Sequence, residues 1–199
     1  RLVRFMRVGV LALQGAFIEH QKMLTDLGVE TTQVRLSQHL DGLDALIIPG
    51  GESTTMAKLA IEFGLFADLQ QFASTHPVWG TCAGAILMAK DEDQHPPRLG
   101  FMDIHVVRNA FGRQVDSFHG ELNVPALAHL NGGTPTFPAV FIRAPIIQSV
   151  GKGVEILAQL GFDKIVAARQ GYWLATVFHP ELTNDNRFHR YFLEMILSK

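Results

Sequence analysis

The chain has one cysteine, Cys82, among its 199 residues, so it cannot close an internal disulfide. That suits a reducing compartment, where a thiolate survives. It has no run of about 18 apolar residues, the length a membrane-spanning helix needs, and its first residues lack the apolar core of a secretion signal. A soluble, cytoplasmic protein is expected. An excess of one charge sign is also lacking: 17 Lys and Arg stand against 19 Asp and Glu, a formal net charge of −2, with the signs interspersed and no basic run. Neither nucleic acid nor an anionic membrane surface is suggested as a partner. Nine histidines are present, but without zinc-ligand spacing or a second cysteine they carry no metal signature, and no metal is assigned. Internal repeats, low-complexity tracts and Pro/Ser-rich linkers are absent.

What is present is a chain that is 47% hydrophobic and long enough for one substantial core. Arg1 to Phe5 precede Met6 and the first strand and read as an N-terminal extension, leaving 6–199 as one domain. Strand-like runs, Val8 to Leu13, Thr31 to Val34 and Ala45 to Ile48, alternate with helical patterns around Phe17, Leu24 and Leu27, at Met56 to Phe63 and at Phe66 to Phe72. The last helix shows Phe188, Phe192 and Met195 at i, i+4 and i+7. Alternating βα units predict a mostly parallel sheet with helices on both faces, which binds ligands beyond the carboxyl ends of its strands. Phe101 to Val124 and Ala139 to Leu160 are richer in β signals and are expected to add antiparallel strands.

Cys82 sits in Val78-Trp79-Gly80-Thr81-Cys82-Ala83-Gly84-Ala85-Ile86-Leu87, an apolar run entering a Gly-x-Cys-x-Gly turn and leaving as a helix. This is the pattern of a nucleophile elbow. The glycines permit a tight turn, and the helix aims its free N–H groups and positive dipole end at the sulfur. Taken alone, the segment also fits a buried structural thiol. Near the C-terminus, His179-Pro180-Glu181 follows an apolar run. Read as a strand, His179 and Glu181 share a side at roughly 6 to 7 Å, so that Glu181 can bond one imidazole nitrogen and leave the other to take a proton from Cys82. Taken alone, these three residues also fit a satisfied histidine at a strand end, with Pro180 as the strand stop and Glu181 a solvated charge. A third segment, Ala45 to Ile48 followed by Pro49-Gly50-Gly51-Glu52-Ser53-Thr54-Thr55, reads as a buried strand, a glycine turn and a helix capped by Ser53 or Thr54. The glycine turn can present a backbone N–H to a developing oxyanion, with the amide of Ala83 as a second donor. An ordinary strand-to-helix turn uses the same residue types. Gln14-Gly15, ending the first strand, fits either a site-facing position or a plain turn.

Together these segments resemble the class I, triad-type glutamine amidotransferases. More narrowly, the chain is similar to the glutaminase subunits of pyridoxal 5′-phosphate synthase, the vitamin B6 branch of that family. The resemblance runs from Val8 to the C-terminal helix. Its distinguishing motifs are Gly51-Glu52-Ser53-Thr54-Thr55, Arg108-Asn109-Ala110-Phe111-Gly112-Arg113-Gln114 and Phe141-Ile142-Arg143-Ala144-Pro145. The resemblance implies a flavodoxin-like three-layer α/β fold and a Cys82, His179, Glu181 triad of nucleophile, general base and orienting carboxylate. It also implies glutamine contacts at Gly51, Glu52, Ser53, Arg108, Ile142 and Arg143, with Gly51 and Ala83 forming the oxyanion hole. Free glutamine carries an α-carboxylate and an α-ammonium, for which Arg108, Arg143 and Glu52 are chemically suited. Arg113 reads as surface charge. Arg143, embedded in the apolar run Ala139 to Pro145, does not.

The resemblance further implies a separate (β/α)₈-barrel synthase subunit as partner, with pyridoxal 5′-phosphate as the product of the complex and no cofactor belonging to this chain. The sequence departs from the family pattern at Phe118-His119-Gly120-Glu121, where an acidic residue commonly follows the phenylalanine. Two rivals remain. An amidotransferase of another pathway, such as histidine biosynthesis, would lack the B6-branch motifs. A reactive-cysteine redox or chaperone-like domain on the same architecture would not need His179 and Glu181.

Overall fold

Short apolar runs form strands that are buried on both faces. In β1 (Arg7–Leu11) every residue after the first is buried, and β3 (Ala45–Ile48) and β4 (Val78–Thr81) are buried throughout. In β11 (Trp173–Thr176) all but the tryptophan are buried. Near-continuous apolar strands of this kind suit a parallel sheet covered by helices on both sides. With β2 (Glu30–Val34) at the edge, they pair in parallel in the order β2-β1-β3-β4-β11. The computed structural model describes residues 5–90, 97–108, 111, 116–130 and 132–199. Residues 1–4 of the expected extension lie outside the described residues. So do Asn109, Ala110, Gly112, Arg113 and Gln114, and with them the expectation of surface charge at Arg113.

Beyond β11 the sheet turns antiparallel through β10 (Lys164–Gln170), β8 (Ile146–Val150) and β5 (Ile104–Val107), and β9 (Glu155–Leu160) also pairs with β10. A separate antiparallel ribbon joins β6 (Ser117–Asn123) to β7 (Thr136–Ile142). The β-rich middle of the chain therefore supplies antiparallel strands, as its composition predicts.

Helix α1 (Phe17–Asp26) connects β1 to β2, while α2 (Ser53–Glu62) and α3 (Phe66–Thr75) connect β3 to β4 in the opposite direction across the sheet. Right-handed crossovers then put α1 on one face and α2 and α3 on the other. The alternation of side chains along β4 shows both faces. Trp79 and Thr81 meet His20 of α1, and Trp79 also meets His189 of α5 (Arg187–Leu197). Gly80 abuts Met88 and Gly84 of α4 (Ala83–Met88). Helix α5 buries Phe188, Phe192 and Met195, the stripe its spacing predicts. Its Phe188 ring lies 4.8 Å from that of Phe137 and 5.3 Å from that of Phe178, both edge-on. No helix among the described residues is long and apolar enough to cross a membrane.

The chain leaves β1 in one direction and β3 in the other, so a topological switch point opens between them. Beyond the carboxyl ends of β1, β3, β4 and β11 follow Gln14-Gly15, Gly50-Gly51, Cys82 and His179. Four separate segments thus converge at one end of the sheet. Phe188→Ala is expected to cost about 3–5 kcal/mol, a cavity under several rings, while Phe162→Ala on the exposed β9–β10 turn costs nearly nothing. Urea midpoints of the two variants, at unchanged slope, check this.

Candidate active site

Strand β4 ends in a turn whose backbone at Cys82 has φ 50° and ψ −111°, a region non-glycine residues rarely occupy. Two glycines make the turn possible. A Cβ on Gly84 would lie 2.0 Å from the carbonyl oxygen of Ile48, and one on Gly80 would lie 2.4 Å from Met88 Sδ, so α4 can seat directly on β3 and β4 only without side chains there. The Cys82 N–H donates to Thr176 O at 2.8 Å, tying the turn to β11. Cys82 is nearly buried, and its thiol points at the Ile142 carbonyl oxygen at 3.9 Å.

The structure corrects the reading of His179-Pro180-Glu181 as strand. Strand β11 stops at Thr176, and Pro180–Leu182 forms a 3₁₀ turn for which His179 is the N-cap. A strand would hold the two side chains apart. The tighter turn instead closes them into a buried hydrogen bond of 2.6 Å between His179 Nδ1 and Glu181 Oε1. The His179 N–H donates to Val140 O at 2.8 Å, which fastens the turn to β7. The His179 ring also comes up beside Cys82, both set against the bare Cα of Gly50. Gly50 is the hinge of this approach: a Cβ there would stand 2.6 Å from His179 Cε1 and 3.4 Å from Cys82 Cβ. Cysteine, imidazole and carboxylate are therefore in series, the arrangement that lets a base activate a thiol while a third group orients the base.

The electrostatics follow from burial and from these contacts. Burial opposes charge on His179, but the neighbouring Cys82 sulfur and the Glu181 carboxylate outweigh it and push the pKa up to about 10. Burial likewise works against the Glu181 carboxylate, yet the imidazoles of His20 and His179 hold it below the ordinary carboxylate value. His20 and His189 have both lost their water to burial, which lowers their pKa values to about 3 and keeps them neutral.

The proposed glutamine contacts fall into two groups. Gly50 lies against Cys82 and His179, Gly51 lies against Gln14 and Gly15, and the turn leads through Glu52 into α2, which begins at Ser53 rather than near Met56. Glu52, not Ser53 or Thr54, caps this helix: its carboxylate accepts the N–H groups of Thr54 and Thr55 at 3.2 and 2.7 Å and the Thr55 hydroxyl at 2.6 Å. The longer carboxylate reaches the second and third helical N–H groups while leaving the serine hydroxyl free for another partner. Those bonds, the Thr55 hydroxyl foremost, hold the Glu52 pKa below its ordinary value. The freed Ser53 hydroxyl accepts from Arg108 Nη2 at 2.5 Å, placing Arg108 over the start of α2.

Ile142 and Arg143 form the second group, at the end of β7. Arg143 departs from expectation: its side chain is 77% exposed, with Nε 3.4 Å from Asp116 Oδ1, because β7 ends at Ile142 and the backbone swings to φ 44° at Arg143. Apolar neighbours in sequence therefore did not bury it.

Gln14 does face the site, since its Oε1 accepts the Glu52 N–H at 2.7 Å. Sequence reasoning missed His20, Thr81 and His189, which lie behind Glu181. No local pattern could have joined them, because they come from three elements far apart in the chain. Among the described residues, no group of three or more His, Cys, Asp or Glu side chains is placed to hold a metal.

The model of the SNO glutamine amidotransferase family matches residues 10–198. The chain belongs to the SNO glutamine amidotransferase family. Among its relatives is the "Pyridoxal 5′-phosphate synthase subunit PdxT" of Pelotomaculum thermopropionicum, 58% identical over 191 residues that cover 95% of this chain and 94% of that one. A solved structure described as a glutamine amidotransferase is 52% identical, covers 95% of this chain and 98% of its own, and superposes with a TM-score of 0.87. The solved structure of PurLQS from Thermotoga maritima, at 16% identity and a TM-score of 0.65 over 97% of this chain and 98% of its own, shares the fold.

For this amidotransferase the pKa shifts set a pH optimum of stability. His179, raised from 6.5 to about 10, stabilises the fold fully below pH 6.5 and loses that contribution as pH rises towards 10. His20 and His189, lowered from 6.5 to about 3, act oppositely: below pH 6.5 the unfolded chain takes up protons that the folded chain refuses. The Glu181 contribution is present above its unfolded value of 4.5 and fades as pH falls through it. Tm measured across these values is expected to peak near pH 6.5, and His179→Gln is expected to flatten the alkaline side alone.

Proposed function

We propose that this chain is a cytoplasmic glutaminase, built as one domain over 6–199, that hydrolyses L-glutamine to L-glutamate and ammonia and supplies the ammonia to a pyridoxal 5′-phosphate synthase. The observation that carries the reading is the buried 2.6 Å bond between His179 and Glu181 beside Cys82 at the elbow, in a chain of the SNO family. The names of its relatives as synthase subunits support the destination of the ammonia.

In this reading the Cys82 thiolate attacks the side-chain amide carbon of glutamine, with its proton held by His179. The amide oxygen gains the negative charge and is met by the backbone N–H groups of Gly51 and Ala83. As the tetrahedral centre collapses, the C–N bond breaks, His179 Nε2 gives its proton to the leaving nitrogen, and ammonia departs. A γ-glutamyl thioester on Cys82 is left. Water then attacks that thioester with His179 taking its proton, a second oxyanion forms, and the C–S bond breaks to release glutamate and the thiolate. Glu181 keeps the imidazole oriented and stabilises its cationic form through both steps.

Arg108 and Arg143 suit the α-carboxylate and Glu52 the α-ammonium, with Ser53 and the backbone around Ile142 completing the pocket rim. The steps use this chain's own side chains and backbone, and pyridoxal 5′-phosphate is the product of the assembled complex. The partner is a (β/α)₈-barrel subunit that accepts the ammonia.

The test is release of ammonia and glutamate from glutamine, by the chain alone and with the barrel subunit. Cys82→Ala is expected to lower turnover by about 10⁴-fold or more. The barrel is expected to raise the rate of the wild-type chain. Activity indifferent to the barrel would assign the glutaminase to another pathway, and no activity under either condition would return the site to reactive-cysteine chemistry.

A further inference from the structure

Two fully buried histidines stand behind the triad, His20 on α1 and His189 on α5. Imidazoles without water need partners. His189 Nε2 lies 2.8 Å from His20 Nδ1. His20 Nε2 lies 3.2 Å from Thr81 Oγ1 and 3.5 Å from Glu181 Oε2. That carboxylate oxygen is the one His179 does not use: Oε1 takes the His179 bond, while Oε2 is buried without a hydrogen-bond partner among the described residues. The series thus runs from Cys82 through His179 and Glu181 to His20 and His189.

The positions of the hydrogens follow from the geometry. A neutral imidazole carries one N–H, and a single hydrogen bridges His20 Nδ1 and His189 Nε2. If it belonged to His20, the bare Nε2 lone pair of His20 would face the carboxylate, and the N–H of His189 would sit on Nδ1, which is buried with no acceptor. If it belongs to His189, both conflicts vanish. His189 then donates to His20 Nδ1, His20 Nε2–H points at Thr81 Oγ1 and Glu181 Oε2, and only a lone pair is left at His189 Nδ1. The ring of Trp79, edge-on at 5.5 Å from His20 and 4.6 Å from His189, walls the pair in.

We propose that His20 is a positioning residue for the triad: its Nε2–H, fixed by His189, faces Oε2 of Glu181 and holds the carboxylate so that Oε1 stays on His179. A neutral donor suits this task, because a cation at His20 would compete with His179 for the carboxylate charge. The titratable groups facing His20 are Glu181 and His179 from the 3₁₀ turn and His189 from α5. Loss of the donor leaves the Glu181 anion less stabilised, so it binds a proton at higher pH, and the imidazolium that supports the Cys82 thiolate is weakened with it.

The consequence for turnover rests on the glutaminase reading, but thiol reactivity does not. Cys82 is the only cysteine, so its alkylation by iodoacetamide reports the triad directly. Two pH profiles are needed, alkylation of the chain and glutamine hydrolysis by the chain with its synthase partner, for wild type, His20→Phe and His20→Gln. His20→Phe is expected to move the acid limb of both profiles to higher pH by about one unit, and to lower kcat at neutral pH about tenfold with KM for glutamine unchanged. His20→Gln, whose amide N–H reaches the place of the imidazole Nε2–H, is expected to restore both limbs. Should His20→Phe fail to fold, His189→Met serves: it keeps His20 but removes the donor that fixes its tautomer, and is expected to shift the limbs in the same direction by less.

Acid limbs that superpose on wild type in a folded His20→Phe, or in His189→Met where His20→Phe does not fold, overturn the proposal. Equal impairment of His20→Phe and His20→Gln overturns it too, since packing alone would then explain the loss. A shifted alkylation limb in a chain that never hydrolyses glutamine would uphold the positioning role and overturn the glutaminase reading instead.

Discussion

Everything at the carboxyl end of this sheet depends on the backbone turn at Cys82. A side chain at φ 50° on a non-glycine residue stores about 1–3 kcal/mol, and such strain persists only where the surroundings over-determine it. Here the surroundings are specific: the amide is bonded to β11 through Thr176, and α4 is seated on Ile48 through the bare Cα of Gly84. Relaxing the turn would unseat α4 from the sheet. The same close approach continues at Gly50, where the lack of a side chain lets the β3 loop pass against both His179 and Cys82. One strained residue and three glycines therefore bring β3, β4 and β11 to a common point.

Polar groups held at that point are removed from water, and each needs compensation from a neighbour. His179, Glu181 and Thr81 are all buried, as are His20 and His189. Except at Glu181 Oε2 and His189 Nδ1, their mutual bonds take the place of solvent, and low dielectric strengthens those bonds while making any gap costly. Aromatic rings wall the group on the α5 side: Trp79 against both histidines, and Phe178 and Phe188 beyond. The rim is of a different kind. Glu52 and Arg143 are exposed, so the bonds by which Glu52 caps α2 and Arg143 meets Asp116 are screened by solvent and individually weak.

The sequence was most legible where one local rule acted without competition. The continuous apolar runs of β3 and β4 and the i, i+4, i+7 stripe of α5 each stand in the structure as patterned. The elbow was legible because glycines two positions either side of a cysteine admit few other backbone paths. It was least legible where tertiary partners chose between equivalent local options. Ser53 is a good helix cap by propensity, but Arg108, 55 positions away, takes its hydroxyl and Glu52 caps instead. Pro180 was read as a strand stop, yet it opens a 3₁₀ turn that brings His179 and Glu181 closer than a strand allows. Arg143 shows the limit of inferring burial from composition, since its apolar neighbours belong to a strand that ends one residue before it.

By itself the sequence determined the chemistry available: one thiol at a tight turn, an imidazole and a carboxylate two residues apart, and a glycine turn after a buried strand. It did so because backbone geometry at glycine, strand period and helix period are local properties. Only the tertiary structure decided which groups share a proton. His20 Nδ1 meets His189 Nε2 across 169 positions of chain and His20 Nε2 meets Thr81 across 61, contacts that exist only because α1 and α5 cover the same face of β4. Burial on that face sets the charges as well, keeping two histidines neutral while the third, between a thiol and a carboxylate, holds its proton. Three identical side chains thus take different states because desolvation and neighbouring charge are properties of place in the fold.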